Sequence, residues 1–144
     1  MLNLFKKKAR NAAAEVKKFE RKDLMEATVG IAVLIMWADG NAEDSEREKI
    51  AKVLANNPAL AAFGPEVQST FNRFDSLCKE SGFMLAKVTI MREIQDVKGD
   101  PREMEDVLVT GLTVALADGE LEEPEEKILR QVASAFGLRI EDYL

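Results

Sequence analysis

One unit occurs twice in the chain: an apolar helix that contains a glycine, an Ala-Asp-Gly turn, a carboxylate-rich loop and a second helix. From the Ala-Asp-Gly turn onward the two copies occupy residues 38–50 and 117–128, and Gly30 and Gly111 lie in the preceding apolar segments. The glycine of each turn suits the left-handed position that ends a helix, and the acidic residues suit the first turn of the next helix. The repeat therefore predicts two pseudo-symmetric helix–acidic loop–helix units within one domain.

The rest of the chain also has helical periodicity. Ser45 and Glu48 have the spacing of a capping box, and Asp100 followed by Pro101 is a typical helix start. No segment shows the alternation of apolar and polar residues that is typical of strands. The sequence predicts an all-α fold: a single domain of about seven helices.

Composition excludes several classes of function. The 144 residues include no His and one Cys, so neither Ser-His-Asp nor Cys-His catalysis is available, nor a disulfide, nor a zinc site of the usual Cys/His kind. Neither a Walker sequence nor Gly-x-Gly-x-x-Gly occurs. Although paired carboxylates can transfer protons, nothing in the sequence marks a raised pKa or a substrate pocket. We therefore expect a protein that is not an enzyme.

Charge divides the chain in two. Residues 1–22 carry a net charge of +6 and residues 23–144 carry −12. We expect a basic amphipathic N-terminal helix over 1–22 and an acidic all-helical domain over 23–144. We expect this helix to pack on its own domain, mainly through Phe5, Val16 and Phe19. The alternative is a basic helix that lies on an anionic membrane or binds an acidic partner. One stripe of the N-terminal helix holds its apolar side chains, which are Leu2, Phe5, Ala9, Ala12, Val16 and Phe19.

No export signal or membrane-spanning segment is recognisable. The longest apolar run covers residues 29–38, whereas a spanning helix needs about 18 or more apolar residues. We expect a cytoplasmic protein, with peripheral association at the inner face of the membrane through residues 1–22 as an alternative.

The acidic loops are the candidate functional sites. Carboxylates in the first turn of a helix are stabilised by the helix dipole without any ligand. Asp39 and Asp118 differ, because each follows the end of a helix, where the dipole disfavours a negative charge. A bound cation would explain them, and solvated caps are the alternative. The candidate metal ligands are Asp39, Glu43, Asp44 and Glu46 in the first loop, and Asp118, Glu120, Glu122 and Glu125 in the second.

Carboxylates without imidazole or paired thiolates indicate a hard divalent metal such as Ca²⁺, Mg²⁺ or Mn²⁺. The loops are not EF-hands, which place Gly sixth and a bidentate Glu twelfth. Counted from Asp39, Gly40 is second and Ile50 is twelfth. A metal-independent adaptor, whose acidic face docks on a basic partner, remains the second hypothesis.

Four features together resemble the tellurite resistance TerB family. They are the two Ala-Asp-Gly loops, the basic N-terminal segment, Phe71-Asn72-Arg73 and the C-terminal residues 135–143. The resemblance implies an all-helical cytoplasmic protein whose acidic patches bind divalent metal, with Asp39 and Asp118 as matching positions. It also implies a role in bacterial resistance to tellurite and other stresses and association with the membrane protein TerC. Reduction of tellurite is not expected, because it needs a redox cofactor or paired thiols.

Overall fold

The computed structural model describes residues 22–144, apart from the side chain of Asp118. These residues form six α-helices and four short 3-10 helices, and no strand among them, so the all-α prediction is confirmed. The predicted N-terminal helix lies outside the described residues except for Lys22. The α-helices are α1 (22–36), α2 (Asp44–Ala55), α3 (Pro65–Ser81), α4 (Phe83–Ile94), α5 (Pro101–Ala115) and α6 (Glu123–Phe136), and the 3-10 helices are Pro58–Phe63, Gln95–Val97, Leu116–Asp118 and Ile140–Tyr143.

Helix α1 is the centre of the hydrophobic core. Every residue from Ala27 to Met36 is buried, as expected of a helix that is apolar on all sides. A Cβ placed on Gly30 would lie 3.0 Å from Ile90 Cγ2 of α4 and 3.6 Å from Phe74 Cε2 of α3. Glycine therefore allows both helices to approach α1 closely. Among the described residues, no helix has the length and apolar character needed to cross a bilayer.

The second glycine of the repeat has the same function on another side of α1. A Cβ on Gly111 of α5 would lie 2.6 Å from Ile31 Cδ1 and 3.0 Å from Leu129 Cδ2 of α6. Helices α5 and α6 pack against each other, as do α3 and α4. Gly30 and Gly111 thus allow neighbouring helices to pack closely in each half of the repeat. The pseudo-symmetry of the two units stays a prediction.

Helix boundaries follow the glycine and proline signals of the sequence. Gly40 and Gly119 have positive φ values of 86° and 94° after their apolar helices, and Asp100 caps α5 by accepting from the N–H groups of Arg102 and Glu103. The predicted capping box of Ser45 and Glu48 is wrong. Helix α2 begins at Asp44 with Glu43 at the N-cap position, which makes no side-chain cap bond, so Ser45 already lies within the first turn.

Candidate functional site

A cleft lies between the two acidic loops. It has a volume of about 80 Å³, and both halves of the repeat line it. Apolar side chains such as Ile35, Ile50 and Val114 form part of its lining, and carboxylates form another part. The five lining carboxylates are Asp39, Glu46, Glu120, Glu122 and Glu125. The fold therefore brings predicted ligand residues from two loops, about eighty positions apart in sequence, to one cavity.

The remaining three candidate ligands have different positions. Glu43 and Asp44 are exposed and lie outside the lining of the cleft. Asp44 Oδ1 instead accepts a hydrogen bond from Arg47 Nη1 at 3.1 Å. Asp118 ends the 3-10 helix Leu116–Asp118, and its side chain lies outside the described part of the structure. Asp44 is thus engaged in an ion pair at the rim of the first loop.

The carboxylates that line the cleft are not assembled into a coordination shell. Among the side chains that the structure describes, no three acidic or thiol groups lie close enough together to hold one ion. Lys49 of α2 lines the same cleft, so the lining includes a basic residue beside the five carboxylates. The donor set consists of hard oxygen atoms, which fits Ca²⁺, Mg²⁺ or Mn²⁺ in chemistry. Binding one ion through several of these carboxylates would require their side chains to move.

Asp39 has a local structural role that its position in the sequence did not reveal. Its Oδ1 accepts a hydrogen bond from the backbone N–H of Asn41 at 3.0 Å, which is an Asx turn. The N–H of Gly40 donates to the Trp37 carbonyl at 2.7 Å in the same turn. One carboxylate oxygen of Asp39 therefore stabilises the loop itself, and a cation is not the sole explanation for this residue. The signal was present, since Asp in a Gly-containing turn commonly bonds to the backbone two residues on.

In the second loop the acids also cap the helix that follows. The backbone N–H of Glu122 donates to Glu125 Oε1 at 3.2 Å, and the two residues form a capping box at the start of α6. The capping box expected in the first loop is thus found in the second. Both residues line the cleft as well, so capping places their carboxylates at its edge.

A buried ion pair anchors the first loop to α3. Arg47 Nε donates to Asp75 Oδ2 at 2.8 Å, and Trp37 Nε1 donates to Asp75 Oδ1 at 2.8 Å. Arg47 also donates from Nη1 to the carbonyl of Ala42 at 2.9 Å. Asp75 is only 6% exposed. One carboxylate therefore holds the end of α1, the start of α2 and the loop between them.

Charge and hydrogen bonding set the protonation state of this anchor. Burial by itself raises the pKa of Asp75, but hydrogen bonds from Arg47 and Trp37, with the charges of Arg47 and Lys79, hold that pKa below its usual value. Asp75 was not among the predicted site residues. The signal for it was a carboxylate on the apolar face of α3, between Phe74 and Cys78, both of which are buried.

The fold and the cleft define a class: a small all-helical domain in which two Ala-Asp-Gly loops meet at an acidic surface. Residues 25–144 match the family model described as tellurite resistance protein TerB. The chain therefore belongs to the TerB family, and the resemblance stated from its sequence is confirmed. The match covers nearly the whole chain and begins after the basic N-terminal segment. Neither the comparison with curated proteins nor that with solved structures gave a match.

Proposed function

We propose that this protein is a non-enzymatic divalent-metal-binding module of a bacterial tellurite-resistance and stress-response system. The supporting observation is the cleft that both halves of the repeat line. Asp39 of the first loop and Glu46 at the start of α2 line the same cavity as three carboxylates of the second half, which are Glu120, Glu122 and Glu125. Carboxylates gathered in one cavity repel each other, and a divalent cation relieves that repulsion. Membership of the TerB family supports the link to tellurite resistance.

The binding step is a closure of the two loops on the ion. Ca²⁺ takes six to eight oxygen ligands in flexible geometry, whereas Mg²⁺ keeps several waters and needs few carboxylates. Because no three of the described carboxylates converge on one point, an ion held by several of them would draw side chains from both halves of the cleft together. Neutralising the cleft then changes the charge of a surface formed by α2, α6 and both loops. A partner protein recognises the surface in its altered charge state. The family resemblance suggests a TerC-like membrane protein as this partner.

Thermal unfolding with and without metal tests this proposal. A ligand that binds only the folded state stabilises it by RT ln(1 + [L]/Kd), which is about 2.7 kcal/mol at one hundred times Kd. We expect Ca²⁺, Mg²⁺ or Mn²⁺ to raise Tm, and Asp39→Asn combined with Glu120→Gln to reduce the rise. Asn at position 39 keeps the oxygen that accepts from Asn41, so the turn survives while the charge is removed. The combination of Asp39→Asn with Asp118→Asn should cancel the rise.

Glu105→Gln is the matched control. Glu105 is an exposed carboxylate on α5 and lies outside the lining of the cleft, so its loss should leave the metal-dependent rise unchanged. In EDTA the cleft variants should melt at the same temperature as the native chain or slightly above it, because they remove mutual repulsion. A clear loss of stability in EDTA would assign these carboxylates to structure and contradict a metal site.

The metal-independent adaptor is the second candidate function. The observations that favour it are the local roles of the same acids: Asp39 closes an Asx turn, while Glu122 and Glu125 form a capping box. In this case the acidic surface docks directly on a basic partner. Calorimetric titration with Ca²⁺, Mg²⁺ and Mn²⁺ at physiological salt separates the two, because saturable heat is expected only from a metal-binding module.

A further inference from the structure

Helix α4 presents apolar side chains to solvent. Met84 is 82% exposed, Leu85 68% and Val88 49%. Met84, Val88 and Met91 follow each other at spacings of four and three, so they lie on one side of the helix. We call these three residues, with the adjacent Leu85, the α4 stripe. Single exposed apolar residues are ordinary, but a contiguous group of them marks an interaction surface.

The α4 stripe continues into an open groove between α4 and α6. The groove has a volume of about 970 Å³, and Met91 and Gln95 line it on the α4 side. Charged residues such as Glu123, Glu126 and Arg130 line it on the α6 side. Arg130 is paired with Glu126 at 2.9 Å and with Glu141 at 2.6 Å. The surface therefore offers an apolar strip beside charged side chains of α6, which suits an amphipathic helix.

The start of the described chain lies at the C-terminal end of α4. Burial raises the pKa of Asp23, and the nearby charge of Asp96, which follows Gln95, adds to this effect. Burial and then the charge of Glu93 raise the pKa of Glu26 in the same way. Arg73 contacts Glu93 at 3.2 Å and Glu26 at 4.0 Å. The N-terminal end of α1 therefore lies beside the end of the groove that Gln95 lines. Residues 1–21 join the domain at this point.

We infer that residues 1–21 dock on the α4 stripe of their own chain as an amphipathic helix, with Phe5, Val16 and Phe19 against the apolar side chains of α4. This inference is independent of metal binding at the cleft between the loops.

Length and charge both fit this occupant. A helix of 21 residues is about 31 Å long and α4, with its 12 residues, about 18 Å, so the segment can cover the whole stripe. The segment and Lys22 carry +6, while residues 23–144 carry −12. Lys17, Lys18 and Arg21 stand in the sequence shortly before Asp23 and Glu26. In the structure these two carboxylates lie close to Asp96 and Glu93 respectively. Docking beside α4 would therefore bring basic residues of the segment near the acidic residues at the C-terminal end of α4.

Two other occupants of the α4 stripe are less well supported: a second copy of the chain and an anionic membrane. A covalently attached segment is present at a high effective concentration, which a second copy of the chain does not match at low protein concentration. An anionic membrane attracts the basic segment but repels a body of charge −12. The observations therefore favour the chain's own segment, and the other two occupants are outcomes of the test.

Paramagnetic broadening in the full-length protein tests the inference. Ala14 lies opposite the apolar stripe of the predicted N-terminal helix, so Ala14→Cys can carry a nitroxide without blocking the contact. Cys78 is buried and stays unlabelled under native conditions. With no lipid present, we expect broadening of the backbone amides of residues 84–91. Met84→Ser combined with Val88→Ser should abolish it. Val109→Ser on α5 is the matched control, since Val109 is 42% exposed, and it should leave the broadening intact.

Three results would overturn the inference. The first is the absence of broadening on α4 in the full-length chain without lipid. The second is broadening in a mixture of nitroxide-labelled chains and isotope-labelled chains without nitroxide, which would assign the stripe to a second copy. The third is broadening that arises only after vesicles of phosphatidylglycerol are added, which would assign residues 1–21 to the membrane.

Discussion

Arg47 on α2 and Asp75 on α3 form an ion pair, with Arg47 Nε 2.8 Å from Asp75 Oδ2. The same guanidinium binds the Ala42 carbonyl inside the first acidic loop, and the same carboxylate binds the indole N–H of Trp37 at the end of α1. The conformation of the loop is therefore determined by a residue of another helix. The first acidic loop, which lines the proposed metal site, is therefore stabilised by Asp75, a residue of α3.

Removing the charge of Asp75 should destabilise the protein. In Asp75→Asn, Arg47 keeps its charge in a largely buried position but loses its buried ionic partner, and the exposed carboxylate of Asp44 is the ion pair that remains. We expect a loss of about 2–3 kcal/mol in the free energy of unfolding, measured by urea denaturation. Asp44→Asn is the control, because Asp44 binds the same guanidinium but its side chain is 99% exposed. That change should cost less than about 1 kcal/mol, and equal losses for the two variants would contradict the role of Asp75 as anchor.

The stabilisation by Asp75 should disappear at low pH. Its pKa in the folded protein is below the ordinary value, so the folded state binds fewer protons at this site than the unfolded chain. Its contribution is complete above the unfolded pKa of about 3.9 and is lost as the pH falls through the folded pKa. The difference in unfolding free energy between the native chain and Asp75→Asn should therefore shrink below about pH 4.

Other carboxylates change stability in the opposite direction over the same range. Burial raises the pKa values of Asp23, Glu26 and Asp106, so their protonation favours the folded state. The pH dependence of the native chain alone combines both effects, and only the difference from Asp75→Asn isolates the anchor. A difference that stays constant from pH 6 to pH 3 would show that Asp75 has the same pKa in both states.

Substitution of the two repeat glycines should have unequal effects. Alanine at Gly111 places a Cβ 2.6 Å from Ile31 Cδ1, with Ile31 Cγ1 and Leu129 Cδ2 at 3.0 Å. The overpacking cost of about 1–3 kcal/mol should exceed the gain of about 0.5–1 kcal/mol from helix propensity. At Gly30 the nearest atom, Ile90 Cγ2, is at 3.0 Å, so Gly30→Ala should be less destabilising. Urea denaturation of both variants measures the order, and the reverse order would contradict this packing argument.

Cys78 should resist thiol reagents while the protein is folded. It is 2% exposed, and burial, with the nearby charge of Asp75, raises the pKa of its thiol to about 11. Near pH 8 only about one thiol in a thousand would then be ionised, compared with about a quarter at an ordinary pKa near 8.5. Labelling with a chromogenic disulfide reagent should be slow in buffer and rapid in denaturant. Rapid labelling of the folded chain would show an opening near α3.

The helices of this fold were predictable because local chemistry ends them. Gly40 and Gly119 adopt positive φ, and the two Ala-Asp-Gly turns of the sequence predicted helix ends at these positions. The anchor was not predictable in the same way, since Asp75 and Arg47 are 28 positions apart and only the packing of α2 on α3 brings them together. Nor does the sequence pattern show that Asp39 accepts a hydrogen bond from its own loop. An Asp at this position is compatible both with a bound cation and with an Asx turn.

The contact between Trp37 and Asp75 makes the intrinsic fluorescence of the protein sensitive to the first acidic loop. Trp37 is the only tryptophan in the chain, and its indole N–H donates to a carboxylate that also holds Arg47 of the first acidic loop. Indole emission depends on the polarity and charge around the ring. Rearrangement of this loop should therefore shift the emission maximum of Trp37 or change its quantum yield. The fluorescence of the unlabelled native protein can therefore follow events at the cleft in real time.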